Sequence, residues 1–289
     1  MTTCPLCGET TPPDAGQEVR VRSNVRKWAH ETFPVWRCAS CLSIHLRGDP
    51  DLVKYYRDYP FSRRTLDGWT RVALKAYFAP LEALGLNQTS SVLDYGCGSG
   101  VIVDFLKARG FRDVSGYDPF SPAYSDPAVL TRSFDLVIAQ DVVEHDRDPL
   151  ALITAWWRLL KPRGLLVLGT PRAEGIDFTR PEEGIHSLHA PFHLHIFSEK
   201  QIRISLRDAG FDLVALRARH SMDTRVPFLN WNFLRSYFMS RDNTIDVAFD
   251  PPSLKAIVLS PSLLMKGLFG YWLPSPRQDM MLIARRAGQ

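Results

Sequence analysis

Four of the five cysteines fall into two pairs, Cys4-Pro-Leu-Cys7 and Cys38-Ala-Ser-Cys41, about 30 residues apart. A C-x2-C turn brings two thiolates within reach of one ion, and two such turns complete a tetrahedron. The spacing therefore predicts a structural zinc ion on Cys4, Cys7, Cys38 and Cys41, with redox pairs or free thiols as the alternative. Gly8, directly after Cys7, suits the tight knuckle. A segment of this size builds little core, so a metal is the expected support. His30 and His45 stand nearby as spare ligands.

A second pattern is Asp94-x-Gly96-x-Gly98-x-Gly100, with the acid at the end of an apolar run. A dinucleotide site would space its glycines as G-x-G-x-x-G and rest a pyrophosphate on the helix start. A carboxylate beside the glycines repels phosphate but suits a cationic or amino-bearing ligand. Asp118, 18 positions after Gly100, is placed to accept hydrogen bonds from two ribose hydroxyls. The ligand expected is a ribonucleoside carrying an ammonium group.

Histidines form the third cluster. The stretch His186-Ser-Leu-His189-Ala-Pro-Phe-His193-Leu-His195 holds four of the eight in the chain. Imidazole is the natural general base near neutrality. His193, and after it His189 or His195, are the catalytic candidates, against a plain role in capping the next helix. Asp141, Glu144 and His145 could hold a divalent ion, although a structural or cofactor-side role for His145 is the simpler reading.

These residues need elements to position them. Strands are predicted at Ser91–Asp94, Val114–Tyr117, Phe134–Ala139, Leu165–Gly169, Leu213–Arg217 and Met280–Ala284. Helices are predicted at Val101–Arg109, Pro149–Leu160 and Ser198–Ala209. Alternating units of this length read as an α/β, doubly wound parallel sheet that binds its ligand at the carboxyl ends of the strands. Residues 1–48 form the predicted zinc ribbon, with short strands at Glu18–Arg22 and Pro34–Arg37. Residues 49–90 form a linker helix (near Leu66–Leu84) and a flap rich in Tyr55, Tyr56, Tyr59 and Phe61. Residues 91–289 form the main domain, with an aromatic insert at about 222–276.

The composition fits this reading. Among 289 residues, 45% are apolar, 23% charged and 11% aromatic, which excludes disorder and fibrous repeats. A net charge of +4 gives no argument for a dedicated nucleic-acid binder. The N-terminus shows no secretory pattern, and the apolar run Ala256–Leu273 is broken by Pro261 and Lys266, so no spanning segment is expected and the cytoplasm is the expected location. The insert is expected to serve as a substrate lid or a homodimer surface, ahead of core packing or membrane contact.

Residues 91–218 resemble the class I S-adenosylmethionine-dependent methyltransferases. The resemblance rests on VLDYGCGSG (92–100), GYD (116–118), FDLVIAQDVVEH (134–145), LLKPRGLLVLGTP (159–171) and FSEKQIRISLRDAGF (197–211). It implies a Rossmann-like sheet in which Asp94, Gly96, Gly98 and Gly100 hold the methionine part of S-adenosylmethionine, Asp118 the ribose, and Gln140 the pocket wall. Only 15 residues separate Asp118 from Phe134, so the third-strand region is abbreviated and Asp126 is the candidate for the adenine contact. The knuckles and the H-x-F-S segment also resemble zinc-ribbon methyltransferases of sugar and secondary-metabolite pathways. Aligned on Phe197-Ser198, their Glu-His pair falls on Phe192 and His193. The segment Asp141-Val-Val-Glu144-His145 resembles that of ubiquinone-pathway O-methyltransferases.

The implied function is methylation, at oxygen or carbon, of a small-molecule acceptor of sugar, phenol or quinol type. An RNA methyltransferase gripping nucleic acid through Arg20, Arg22, Arg26, Lys27 and Arg37 is the alternative. A non-catalytic cofactor-binding scaffold is the third reading, opposed by the intact glycine loop.

Overall fold

The computed structural model describes every residue except 1, 12–16, 58, 61–63, 222, 276 and 289. Phe61 of the expected flap therefore lies outside the described residues. In chain order the strands are β1 (Thr2–Thr3), β2 (Thr10–Thr11), β3 (Glu18–Arg22), β4 (Thr32–Arg37), β5 (Ile44–Leu46), β6 (Ser91–Tyr95), β7 (Asp113–Tyr117), β8 (Phe134–Gln140), β9 (Leu160–Pro171), β10 (His195–Ile196), β11 (Phe211–Arg217) and β12 (Asp279–Arg286). The helices are α1 (Leu52–Tyr56), α2 (Gly68–Ala83), α3 (Val101–Ala108), α4 (Pro149–Leu159), α5 (Ile185–Leu188), α6 (Glu199–Asp208), α7 (Trp231–Met239), α8 (Leu254–Val258) and α9 (Pro261–Phe269).

Period-two alternation builds the central sheet. Val92, Leu136, Ile138, Val167, Met281 and Ile283 point to one face, where Leu74, Phe78, Phe105 and Leu106 of α2 and α3 cover them. Leu93, Val137, Ala139, Leu166, Leu168, Leu282 and Ala284 point to the other, under Ile153, Trp156, Ile202 and Leu206 of α4 and α6. The result is a Rossmann-like mixed sheet of six strands in the order β11-β12-β9-β8-β6-β7. An all-parallel sheet was the expectation, and β12 corrects it by pairing antiparallel with both β9 and β11. β11 and β12 are sheet neighbours joined through the insert, and a direct return between neighbouring strands makes an antiparallel pair.

From β6 the chain crosses to β7 on one side, and then returns to β8 on the other. The connections diverge at the carboxyl ends of β6 and β8, which makes a crevice for a ligand there. No third strand intervenes between β7 and β8 among the described residues. The 3-10 turn Pro127–Thr131 fills that stretch and leaves β7 as a sheet edge.

The front segment is not packed as a free appendage. Its strands form a sheet of order β10-β5-β4-β3, whose β10 comes from the main domain. Cys4, Leu6, Trp36, Cys38 and Cys41 are buried in the same apolar cluster as Trp156 and Phe197. The insert has a core of its own in Phe233, Tyr237, Phe238, Val247 and Leu263, while Leu254, Val258, Leu259 and Trp272 are exposed. Among the described residues no helix is long and apolar enough to cross a membrane.

Candidate active site

The loop after β6 turns on three left-handed glycines, Gly96, Gly98 and Gly100, at φ 77°, 53° and 80°. At Gly100, which starts α3, a side chain would also strike Tyr124. At Gly98 it would meet nothing, so the backbone there borders open space. The Gly98 N–H donates to Asp118 Oδ2 at 2.9 Å, and the Phe120 N–H donates to Oδ1 at 2.8 Å. Asp118 is thus fixed beside the glycine loop with each oxygen able to accept once more. Asp94 is 3% exposed under the loop, and burial together with the Asp118 charge pushes its carboxyl up to about 7. A buried acid in that state is stabilised by a cation, so the residues present fit the ammonium, sulfonium and ribose of S-adenosylmethionine.

Gln140 ends β8, its side chain lying over Gly169, with Nε2 donating to Asp141 Oδ1 at 2.8 Å. Asp126 is exposed and its Oδ1 accepts from the Ala128 N–H at 2.9 Å, capping the 3-10 turn.

The histidine candidates separate into two places. His193 and His189 lie with His145 in one buried cluster, the ring centroids of His193 being 4.7 Å from His145 and 4.8 Å from His189. His193 is 7% exposed, and its Nδ1 lies 2.8 Å from the Ser187 carbonyl. A carbonyl only accepts, so Nδ1 carries the proton and Nε2 is bare. That nitrogen faces Glu144 Oε1 at 3.9 Å. Glu144 is 0% exposed; its Oε2 accepts from Thr170 Oγ1 at 3.0 Å and its Oε1 has no partner. Burial holds His193 well below, and Glu144 well above, their ordinary ranges.

His189 sits at φ 37°, its Nδ1 2.5 Å from Asn24 Oδ1 and its Nε2 3.2 Å from Tyr59 Oη. His195 lies elsewhere: on β10 it pairs with His45, Nδ1 to Nδ1 at 3.0 Å, facing the ribbon.

The tyrosine flap closes over this cluster. Tyr56 stacks on Phe120 at 5.0 Å and its hydroxyl lies 2.8 Å from His145 Nδ1. Burial lowers His145 to about 4. Tyr59 packs on Phe192 at 4.9 Å. One short helix thus touches both the loop after Asp118 and the histidines.

Two side-chain groups could hold an ion. In the first, Cys4 Sγ lies 3.7 Å from Cys41 Sγ, and Cys7 Sγ 3.8 Å from Cys38 Sγ. Bonds of about 2.3 Å from a tetrahedral zinc place its sulfurs about 3.8 Å apart, so the set fits that ion. Mutual S–H···S bonding pushes Cys4 up and Cys41 down. His45 Nε2 lies 3.3 Å from Cys4 Sγ, beside the four thiols. The second group is Glu144, His145 and His193. Asp141, expected with Glu144 and His145, is not in it. At φ 55° its carboxyl accepts from Gln140 instead.

The arginines proposed for nucleic acid are engaged within the chain. Arg26 pairs with Asp242 at 2.7 Å and Asp250 at 2.6 Å of the insert, and Arg22 with Glu182 at 3.2 Å. Arg37 donates to the carbonyls of Ala173 and Ile176, Arg20 donates to Thr32, and Lys27 lies over the Trp28 ring.

The profile of a methyltransferase domain matches residues 69–216, just over half of the 289 residues. A ubiquinone biosynthesis O-methyltransferase of Cereibacter sphaeroides is 35% identical over 113 residues, which cover 32% of this chain and 44% of that protein. The chain thus spans less than half the length of that relative. A protein of the same name from Albidiferax ferrireducens is 27% identical over 195 residues, 58% of this chain and 74% of its own. A SAM dependent methyltransferase from Archaeoglobus fulgidus superposes with a TM-score of 0.45 at 18% identity, over 74% of this chain and 94% of its own.

Proposed function

The chain belongs to the methyltransferase domain family, its Rossmann-like unit being an S-adenosylmethionine-dependent methyltransferase, and we propose that the protein methylates a hydroxyl of a small-molecule acceptor. The observation that carries the reading is the cradle at Gly98, open in front and backed by Asp118 and Asp94. The O-methyltransferase name shared by the relatives supports oxygen as the atom methylated. Bound there, S-adenosylmethionine supplies an electrophilic methyl group on a sulfonium.

The chain's own residues do the rest. Asp118 and the glycine loop fix the nucleoside, and the Tyr56–Phe120 stack closes one side against water. Alignment and exclusion of water supply much of the acceleration of an in-line displacement. His193 accepts the hydroxyl proton at its bare Nε2, oriented by the Ser187 carbonyl. Burial disfavours its charged form, so the imidazole keeps a lone pair to accept with, at the cost of a lower basicity. The four cysteines hold a structural zinc ion that fixes the ribbon.

The arginine pairing counts against a nucleic-acid substrate, because the groups that would meet phosphates already meet carboxylates and carbonyls of the same chain. The test is a titration with S-adenosylhomocysteine together with the His193→Ala protein. Micromolar binding is expected, unchanged in the variant, with turnover lower by about 10²–10⁴-fold. No binding by the intact chain refutes the methyltransferase reading. Full turnover by the variant refutes His193 as the base.

A further inference from the structure

We propose that the outer face of the insert docks on a membrane, with α8 and α9 resting their apolar side chains in the interface of a bilayer rich in anionic lipid. This goes beyond the methyltransferase reading and stands without it.

A surface helix ordinarily turns apolar residues to the core and polar ones to water. In α9, Leu263 is buried in the insert core and Gly267 lies close against the Phe228 ring. Yet Met265, Leu268 and Phe269, at i, i+3 and i+4 on one helical face, are exposed, and exposed Trp272 comes three residues on. In α8, Ile257 packs on the insert core, while Leu254 and Val258, at i and i+4, are exposed together with Leu259. Ser260 alone separates exposed Leu259 from exposed Pro261, so the two outward rows meet at that turn. Leu254 is 71% exposed, Leu259 70% and Trp272 62%, so these side chains project as a ridge and do not line a groove. A protein that works only in water rarely gathers such groups on one face.

Charge decides what covers the ridge. From Pro251 to Gln278 the chain has no acidic residue, and Lys255, Lys266 and Arg277 are its only charged ones. Lys266 is occupied, donating to Ser236 Oγ at 2.8 Å. Lys255 is exposed on α8. Exposed Arg225 lies over the Tyr271 ring at 5.5 Å, and that ring meets Trp272 at 5.7 Å.

A second copy of the chain is the rival occupant, and this distribution opposes it. A two-fold dimer presses the face on itself, bringing cations together with no acid from either α8–α9 segment to pair them. An anionic bilayer supplies the missing charge. It receives the Leu and Phe side chains, holds Trp at the headgroup level and lets the Lys and Arg stems reach phosphates. The nine residues of α9 rise about 14 Å, roughly half of a hydrocarbon core, so the helices lie on one leaflet and do not span it.

The test is flotation of the full chain with vesicles of equal parts phosphatidylcholine and phosphatidylglycerol, and with vesicles of phosphatidylcholine alone. Binding to the anionic vesicles is expected, weaker by about tenfold or more on the neutral ones. The double variant Leu259→Ser and Trp272→Ser should bind the anionic vesicles about tenfold or more weakly, through lost apolar burial. Lys255→Glu with Arg225→Glu should cost about tenfold through charge alone. All four side chains are exposed, so both proteins should keep the melting temperature and S-adenosylhomocysteine affinity of the parent. If the serine variant melts early, the charge pair decides. No binding to anionic vesicles, equal binding to both kinds, or undiminished binding by the charge variant overturns the inference. A dimer in sedimentation equilibrium that the serine variant splits assigns the ridge to a second copy, and also overturns it.

Discussion

Replacing Asp118 tests the cofactor cradle most directly. Its two oxygens already receive the N–H groups of Gly98 and Phe120, at 2.9 and 2.8 Å. One lone pair on each remains for a ribose hydroxyl. Asp118→Ala removes both of those acceptors. Hydrogen bonds to a charged group contribute about 1.5–3 kcal/mol each, so the loss of two is about 3–6 kcal/mol, or roughly 10²–10⁴ in Kd. The freed N–H of Gly98 borders open space and can be solvated, so the fold itself should suffer little. Asp118→Asn is nearly as harmful on this geometry. Each carboxylate oxygen meets an N–H, so the amide NH2 must face one of those donors. Calorimetric titration with S-adenosylhomocysteine measures both effects, with the melting temperature as the control for folding. A Kd within about threefold of the parent for Asp118→Ala would show that the ribose is held elsewhere.

Affinity for S-adenosylhomocysteine should also depend on pH through Asp94. Burial raises this acid to about 7, and the ammonium of the ligand favours its ionised form, so binding below pH 7 must first release a proton. Affinity should fall by up to about tenfold per pH unit below 7 and level off above it, and Asp94→Asn should abolish the slope. A flat profile in the parent chain counts against the pairing. Elemental analysis should find one zinc per chain, lost in the protein with both Cys38→Ser and Cys41→Ser, which should also melt earlier. A metal content near zero in freshly purified, chelator-free protein would disprove the ribbon site.

Elements with local signals were legible in the sequence. The strand β6, the glycine loop, α3 and the acid at the end of β7 follow one another within 30 residues, and each has its own period or punctuation. Asp148 and Ser198 mark the starts of α4 and α6 by accepting from the Ala151 and Gln201 N–H groups, as capping residues do. The reversed direction of β12 was not legible, because an apolar alternation does not encode which way a strand runs. Nor was the meeting of His193 with Glu144, or of His189 with Asn24 of the ribbon. Those contacts join residues 49 and 165 positions apart, and only the packing of whole elements brings them together. The histidine run marked the region, but it could not separate His195, which strand pairing turns toward His45.

That pairing changes what the front segment does. Strand β5 follows the second cysteine knuckle directly and holds the histidine loop on both sides. The Leu46 N–H donates to the Leu194 carbonyl at 2.9 Å, and the Ser198 N–H donates to Ser43 Oγ at 3.0 Å. Leu194 in turn donates its own N–H to the Glu144 carbonyl at 2.7 Å. The residue after His193 is therefore pinned between the ribbon and the segment that carries Glu144. A strand of three residues cannot hold such a register alone, but Cys38 and Cys41 anchor it to the cluster that also buries Trp156. The front segment therefore packs as one wall against the segment that carries His193 and Glu144, and its cysteines share a core with the sheet.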